Sequence, residues 1–289
     1  MDAFVGFVRP AFEFLRPISL SPINIGVQIT CIALPCLLIS ESFHSQLGRY
    51  VFKPIASLGF LVAAVSYLPS SNATGSTFFT SIKDQILADP SEAIAYGGAC
   101  LTELQRICYS VAPTFLSSAA SSSTTVHSTY TNAMMIAFIL GFLGDVLLIP
   151  KKGFLPGLVS FLAGHAAFMV AFTFHGQDNK SHQGAAGFLV VMASIVGPWL
   201  IPQIKNKVMR GAVIAYMAVI SGMVLTAVGS VQCGREYLPE RVLGALMFFF
   251  SDLFVARQHF VQKTVLNKWI GLPLYYGGQI LLASTLRGE

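Results

Sequence analysis

The sequence predicts an all-α fold, a polytopic membrane helix bundle of about eight transmembrane helices. Apolar residues make up 54% of the 289-residue chain and charged residues only 11%, against about 25% charged in soluble domains. The mean hydropathy is +0.67. Eight apolar runs recur along the chain, each near the roughly 20 residues that a helix needs to cross a bilayer. These runs do not alternate apolar and polar residues, as the strands of a membrane β-barrel do.

The apolar runs divide the chain into four parts. Residues 1–22 are predicted to form an amphipathic segment at the membrane interface, and 23–68 hold the first two spans. Residues 69–131 are predicted to be a Ser-rich extramembrane insertion, and 132–289 the six-helix portion with the candidate active site. The predicted spans are 23–40, 52–68, 132–149, 154–174, 185–201, 211–230, 239–256 and 268–286.

The insertion contains one predicted element. The Ser/Thr-rich stretches "PSSNATGS" and "SSAASSSTTVHSTYTN" flank "DPSEAIAYGGACLTELQRICYSV", in which Asp89 is a predicted helix N-cap with Pro90 at the first helical position. This amphipathic helix carries no catalytic motif. The five cysteines of the chain are too few and too scattered for a disulfide framework or a metal site.

The basic residues predict the orientation of the bundle. The odd-numbered loops hold ten Lys and Arg residues, whereas the even-numbered loops and termini, without the insertion, hold six. The positive-inside rule then places the odd loops in the cytosol and both termini on the other side. Short basic clusters beside apolar runs indicate contact with phospholipid head groups rather than with nucleic acid.

Two aspartates lie within predicted spans, where an ionisable side chain is costly. Asp145 belongs to "IAFILGFLGDVLLIP" in the third span, and Asp252 to "GALMFFFSDLFVARQ" in the seventh. Both spans run in the same direction, and each aspartate lies about 6 Å before the end of its span at 1.5 Å per residue. Two carboxylates at one depth predict shared chemistry. The alternative is that each one reaches the interface or caps a neighbouring helix.

Further polar groups enter the membrane from the same side. His165 lies about 17 Å into the fourth span, and Tyr275, Tyr276 and Gln279 begin about 11 Å into the eighth. Simpler interpretations exist for each. The histidine could be a packing residue and the tyrosines part of an interfacial aromatic belt. The nearby cations, Lys151, Lys152 and Arg257, could be phosphate ligands or plain topology signals.

The ordered motifs resemble the YhhN family of integral membrane proteins. The resemblance covers 131–289 and rests on "FLGDVLLIP…FLPGLVSFLAGHAAF", then "LGALMFFFSDLFVA", then "LPLYYGGQILLA". "RYVFKP" at 49–54 resembles the Lys-Pro entry to an earlier family helix. Characterised members of the family are lysoplasmalogenases with an eight-helix membrane fold, so the resemblance implies that fold and that activity.

The resemblance also implies site residues. The family's two motif aspartates correspond to Asp145 and to Asp252, which follows Ser251. Its helix-four histidine corresponds to His165, and its Tyr-Tyr-x-x-Gln motif to Tyr275, Tyr276 and Gln279. The chain departs from the family pattern at Phe168, where many members have a tyrosine, and in the length of the insertion.

The implied reaction is acid-catalysed cleavage of a vinyl ether. Protonation of the β-carbon gives an oxocarbenium ion, water adds, and the hemiacetal collapses to a fatty aldehyde and a glycerophospho-base. The predicted catalytic pair, Asp145 and Asp252, would divide one proton, as the two carboxyls of glycosidases divide acid and base roles. Substrate binding is predicted for His165, Tyr275, Tyr276, Gln279, Ser251, Lys151, Lys152 and Arg257, with no metal and no organic cofactor.

Other functions remain as alternatives. A proton-coupled transporter also places acids in helices, but the chain shows no convincing internal repeat. A retinal-type receptor needs a mid-membrane lysine, which no predicted span contains. A non-catalytic lipid-binding or lipid-transporting protein is the main alternative. The predicted partners are a lysoplasmalogen and membrane lipids, and the predicted location is multi-pass in the endoplasmic reticulum membrane. The sequence carries no signal for an oligomeric state.

Overall fold

The structure, a computed structural model, describes residues 24–68, 123–150, 152–174, 177, 179–230 and 238–288. Within these ranges the chain forms eight α-helices, which confirms the predicted all-α, multi-pass membrane fold. The helices are α1 Ile25–Ser42, α2 Gln46–Tyr67, α3 Ser123–Leu147, α4 Phe154–Thr173, α5 Asn179–Leu200, α6 Lys207–Gly229, α7 Leu238–Ala256 and α8 Val265–Ser284. The predicted N-terminal segment and the predicted helix of the insertion lie outside the described residues.

Six of the eight helices, α1 to α6, are long and apolar enough to cross a membrane. Helices α7 and α8, predicted as the seventh and eighth spans, do not reach this apolar composition. Helix α7 carries Glu240, Arg241 and Asp252, and α8 carries the polar residues Asn267, Lys268 and Gln279. Of these side chains, Arg241, Asn267 and Gln279 are buried within the bundle. These polar side chains face the protein interior, so they lower the mean hydropathy of α7 and α8 although they are not exposed to lipid.

Side-chain caps decide where several helices begin. Ser45 Oγ accepts a hydrogen bond of 3.2 Å from the Gly48 backbone N–H at the start of α2. Such a cap satisfies a backbone donor that has no partner within the helix. Helix α2 therefore begins six residues before the predicted span at 52, and Lys53, at the edge of that span, lies in its second turn.

Helix α3 also begins earlier than predicted. It starts at Ser123, inside the segment predicted to belong to the insertion. Thr131 is fully buried, and the hydroxyls of Tyr130 and Thr285 lie 2.8 Å apart. The contact of Tyr130 with Thr285, the residue after α8, and the burial of Thr131 stabilise a helix in this stretch of low intrinsic helix propensity.

Six helices form a closed ring around the core. In order, α2 packs against α3, α3 against α4, α4 against α6, α6 against α7, α7 against α8, and α8 against α2. Helix α1 lies outside this ring, against α2 and α8, and α5 packs chiefly against α6. The ring brings α3 and α7, which carry the two membrane aspartates, into one bundle.

Helix α1 approaches α2 closely because both carry glycine at the crossing. A Cβ atom added to Gly59 would lie 2.2 Å from Thr30 Oγ1, and one added to Gly26 would lie 2.2 Å from the Ala63 backbone nitrogen. The close approach lets Thr30 Oγ1 donate a hydrogen bond of 3.1 Å to the Ala56 carbonyl oxygen across the two helices. Small residues at helix crossings are typical of membrane bundles.

Candidate active site

Asp145 lies near the end of α3 with only 2% of its surface exposed. Ser57 Oγ donates a hydrogen bond of 2.6 Å to its Oδ2, and the Lys53 ammonium lies 3.1 Å from its Oδ1. Both partners come from α2. The Ser57 hydroxyl also lies 3.3 Å from the Tyr276 hydroxyl of α8. The buried carboxylate therefore has a cation and a hydroxyl donor of its own.

The partner of Asp145 is Lys53, which lies at the edge of the predicted second span and was not predicted to contact Asp145. Capping by Ser45 brings the lysine into α2, and its side chain is only 14% exposed. Removing two opposite charges from water together is far less costly than removing one alone. The signal in the sequence was the Lys-Pro pair of "RYVFKP", which was given no role in the site.

Asp252 lies on α7 in a second polar cluster. Its Oδ2 accepts a hydrogen bond of 2.6 Å from the Tyr216 hydroxyl of α6. The same oxygen lies 3.1 Å from Nε2 of His165 on α4, and that nitrogen is 2.7 Å from the Tyr216 hydroxyl. The Asp252 side chain is 17% exposed, whereas His165 is almost fully buried. The sequence did not identify Tyr216, a single neutral aromatic residue in an apolar run.

The imidazole of His165 is best satisfied in its neutral form. Its Nδ1 is buried and has no hydrogen-bond partner, so a proton on that nitrogen would be a buried donor without an acceptor. A neutral ring with its proton on Nε2 can instead donate to Asp252. Asp252 therefore faces two neutral donors, whereas Asp145 faces a cation.

Aromatic rings separate the two clusters. The ring of Phe248 lies 4.8 Å from the ring of His165 and 5.1 Å from that of Tyr275, edge to face in both cases. Tyr275 in turn lies close enough to Asp145 to interact with it electrostatically. Among the described residues, no hydrogen bond joins the carboxyl groups of Asp145 and Asp252. Each carboxyl group has its own donors, and the division of one proton between the two stays a prediction.

Both aspartates nevertheless line one cavity of about 1090 Å³. Its walls come from the ends of α1, α3, α5 and α7 and the beginnings of α2, α4, α6 and α8, all at the end of the bundle predicted to face the cytosol. Tyr216 and Tyr275 also line it. A ligand in this cavity can contact both clusters at once.

Three predicted substrate-binding residues, Tyr276, Gln279 and Ser251, make contacts within the protein rather than presenting a free polar group to the cavity. Tyr276 and Gln279 are fully buried, and neither is among the described residues that line the cavity. Gln279 Nε2 donates a hydrogen bond of 3.2 Å to the Tyr275 hydroxyl and so helps to orient it. Ser251 does line the cavity, but its Oγ donates a hydrogen bond of 2.9 Å to the Gly271 carbonyl oxygen.

The predicted phosphate ligands lie elsewhere. The Arg257 guanidinium donates hydrogen bonds to Asn267 and to Thr264, and the residue is not part of the described cavity wall. It was placed wrongly because α7 continues as a π-helical turn, Arg257–Val261, which carries the side chain towards the start of α8. Lys152 is exposed and away from the cavity, and Lys151 lies outside the described residues.

Other cations line the cavity mouth instead. They are Arg49, Lys53, Lys263 and Lys268. Glu41 is buried and pairs with two of them, at 2.8 Å from Arg49 Nη2 and in direct contact with the ammonium of Lys268. Lys263 is exposed and has no carboxylate partner within the described part of the chain.

His259 lies beside this mouth, in the π-helical turn after α7. Its ring stacks on that of Phe154 at 3.5 Å between centroids. Burial and the neighbouring Lys263 ammonium lower the pKa of His259 below its usual value. A neutral imidazole adds no charge, so Lys263 carries the positive charge on this side of the mouth.

Among the residues that the structure describes, no group of three or more His, Cys, Asp or Glu side chains could hold a metal ion. The two clusters around the aspartates are built instead from hydroxyl, imidazole and ammonium donors. Such groups can hold a proton, orient a water molecule or stabilise a charge.

A family model described as the YhhN family matches residues 105–286, which is more than half of the chain. No curated protein and no solved structure matches the chain. The matched residues include helices α3 to α8, and so both aspartates, His165 and Tyr216, but not Lys53. The chain belongs to the YhhN family of integral membrane proteins.

Proposed function

We propose that this protein is a membrane-embedded hydrolase that cleaves the vinyl-ether bond of lysoplasmalogens. The YhhN family includes lysoplasmalogenases. The observation that carries the proposal is that Asp145 and Asp252 line one cavity, between a basic mouth and an apolar wall. A lysoplasmalogen has matching parts in the same order, which are a phosphate head group, a vinyl ether and a hydrocarbon chain.

Asp252 is the proton donor in this proposal. Its Oδ2 accepts from Tyr216 and His165, while its Oδ1 has no hydrogen-bond partner among the described residues. Within the described residues no Lys or Arg lies against this carboxyl group, whereas Lys53 lies against Asp145, so the proposal assigns the proton to Asp252. A proton on Oδ1 can then be transferred into the cavity, to the β-carbon of the vinyl ether.

Asp145 is the anion of the pair. The ammonium of Lys53 and the hydroxyl of Ser57 stabilise its ionised form. When the β-carbon takes the proton from Asp252, the oxygen-bearing carbon becomes an oxocarbenium centre, and a negative charge in the same cavity stabilises it. Asp145 can then accept a proton from the water that adds to this carbon.

The products follow from the bonds made and broken. Water supplies the hydroxyl of a hemiacetal, and the proton that it loses passes to Asp145. In the collapse of the hemiacetal the bond between carbon and the glycerol oxygen breaks, that oxygen takes the proton from Asp145, and the hydroxyl gives its proton to Asp252. A fatty aldehyde and a glycerophospho-base are released, and both aspartates return to their starting state. Tyr275, held by Gln279 and close to Asp145, is placed to orient the water.

The cations of the mouth replace the predicted phosphate ligands in this proposal. Lys263 has no carboxylate partner in the described chain, and Arg49 and Lys268 share a single one. Four Lys and Arg residues therefore line the cavity against three carboxylates. An excess of positive charge at the mouth favours the phosphate of a lipid head group. The endoplasmic reticulum stays a prediction as the location.

The test is aldehyde release from a vinyl-ether lysolipid by the purified protein in detergent. The matching alkyl-ether lysolipid serves as a substrate control, since it cannot form the oxocarbenium ion by protonation. Asp252→Asn and Asp145→Asn are expected to lose at least about a hundredfold in kcat, the range typical of general acid-base groups. Glu240→Gln, at the opposite end of α7, is the control variant and should retain activity.

The same assay separates the hydrolase from the alternative, a non-catalytic lipid-binding or lipid-transporting protein. That alternative predicts that the wild-type protein binds both lysolipids and releases no aldehyde from either. Full aldehyde release by the folded Asp252→Asn variant would refute the proposed acid, whatever the wild-type rate.

A further inference from the structure

The cavity continues beyond the two carboxylates as an apolar groove between α5 and α6. Helix α5 contributes six lining residues at positions i, i+3, i+4, i+7, i+8 and i+11, which form one stripe along the helix. They are Leu189, Met192, Ala193, Val196, Gly197 and Leu200. The spacing shows that one whole face of α5 is turned towards the cavity.

The opposite face of α5 is exposed. Val190, Val191, Ile195 and Trp199 all have large exposed fractions, as expected for side chains in contact with lipid tails. Helix α5 is also the least buried of the six candidate spans, and it packs chiefly on α6. It therefore forms a thin outer wall between the cavity and the bilayer.

The facing wall comes from α6 and extends further into the membrane. Val213, Met217, Ile220 and Ser221 line it at helical spacing. Ser221 lies 14 positions after Lys207, the first residue of α6, which is about 21 Å at 1.5 Å per residue. Among the described residues of α5 and α6, no charged side chain lines the groove.

We propose that this groove holds the hydrocarbon chain of a single-chain amphiphile, and that Ser221 sets the longest chain that fits. The proposal rests on the proposed function for the identity of the amphiphile, a lysolipid. The head group then lies among the cations of the mouth and the ether near the aspartates, and the apolar lining of α5 and α6 continues inward from there. Ser221 is a small side chain at its inner end.

Gly197 marks a second position in the same groove. A Cβ atom added there would meet no atom within 4 Å, so a larger side chain can be accommodated without moving the backbone. Because Gly197 lies near the end of α5, a large side chain there narrows the groove before the chain has entered it. Substitutions at Gly197 and Ser221 should therefore act differently on chain length.

The experiment measures binding rather than turnover. Tritiated alkyl-ether lysophosphocholines with lauryl, palmityl and stearyl chains are bound to protein in nanodiscs, and affinity is read by scintillation proximity. These ligands are not cleaved. Binding is counted above that of protein-free nanodiscs. Referred to ligand in water, each further methylene buried in the wild-type groove should raise affinity by up to about fourfold.

Ser221→Leu and Ser221→Phe are expected to weaken binding of the stearyl ligand by at least about tenfold while leaving the lauryl ligand within about twofold. Gly197→Leu should weaken all three ligands alike. The control is Gly187→Leu, on the same helix. A Cβ atom at Gly187 also meets nothing within 4 Å, but the residue does not line the described cavity.

A wild-type chain-length profile in both folded Ser221 variants would overturn the proposal, and so would an equal change in the Gly187 control. Thermal melting establishes that each variant is folded, and the leucine variant serves if the phenylalanine variant is not. The outcome is separate from that of the proposed function. Chain-length selection without aldehyde release from the vinyl ether refutes the hydrolase alone, whereas aldehyde release with an unchanged profile refutes the groove alone.

Discussion

The ammonium of Lys53 lies 3.1 Å from Oδ1 of Asp145, and it joins a residue of α2 to one 92 positions later on α3. The pair has two consequences. It makes a buried carboxylate tolerable in a membrane bundle, and it distinguishes Asp145, which faces a cation, from Asp252, which faces only neutral donors. The two aspartates therefore differ in charge environment although both line one cavity.

Lys53→Met is expected to destabilise the protein by about 3–5 kcal/mol, because it leaves the Asp145 carboxylate buried without its cation. It should also abolish aldehyde release. Thermal melting in detergent measures the first effect.

The double variant Lys53→Met/Asp145→Leu should recover most of the stability but no activity, since replacing a buried ion pair by apolar groups often leaves the stability unchanged. Lys207→Met, an exposed lysine of α6, is the control. A Lys53→Met variant as stable as wild type would contradict this account.

Tyr216→Phe is expected to lower kcat by about tenfold to a hundredfold with little change in KM. The change removes a hydrogen bond of 2.6 Å to Asp252 Oδ2 but leaves the ring and its packing in place, and such a bond to an acidic group contributes about 1–3 kcal/mol. Steady-state kinetics on the vinyl-ether lysolipid give both constants. Tyr50→Phe changes a tyrosine that is 54% exposed and should have no effect. Equal kcat values for Tyr216→Phe and wild type would remove this tyrosine from the mechanism.

The helices could be predicted from the sequence because their length and apolar composition are set by the bilayer. The same reasoning found Asp145, Asp252 and His165, since polar side chains in apolar runs stand out. The role of Lys53 was not predicted, because a lysine near the start of a span is usually a topology signal and its contact with Asp145 joins two helices far apart in sequence.

Other site features had no local signal. Tyr216 is neutral and lies within an apolar run, so nothing in α6 distinguishes it before the fold places it beside Asp252. Arg257 has the right charge and lies near Asp252 in sequence, but the π-helical turn and the hydrogen bond to Asn267 hold it away from the cavity. The positions of Tyr216 and Arg257 depend on contacts between segments that are separate in sequence, and the periodicity of one helix does not predict such contacts.

Gly59→Ala is expected to destabilise the protein by about 1–3 kcal/mol, the usual cost of overpacking. The added Cβ would lie 2.2 Å from Thr30 Oγ1 and 2.7 Å from the Thr30 backbone nitrogen, so α1 must move away from α2. Thermal melting reads the effect. Gly187→Ala, in open space on α5, should instead be neutral or slightly stabilising, because alanine is the better helix former. Similar melting of the two variants would show that α1 and α2 are not closely packed.

Lys263→Gln is expected to raise KM for the vinyl-ether lysolipid by about threefold to tenfold with little effect on kcat. The lysine lines the cavity mouth without a carboxylate partner in the described chain, and its exposure limits the energy of one charge-assisted contact with phosphate. Lys152→Gln is the matched control, because Lys152 is also exposed, lies at the same end of the bundle and does not line the described cavity. Raising the salt concentration should bring the wild-type KM towards that of Lys263→Gln, since salt screens exposed charges. If Lys152→Gln raised KM as much as Lys263→Gln, the effect would come from general surface charge, and Lys263 would have no specific place at the mouth.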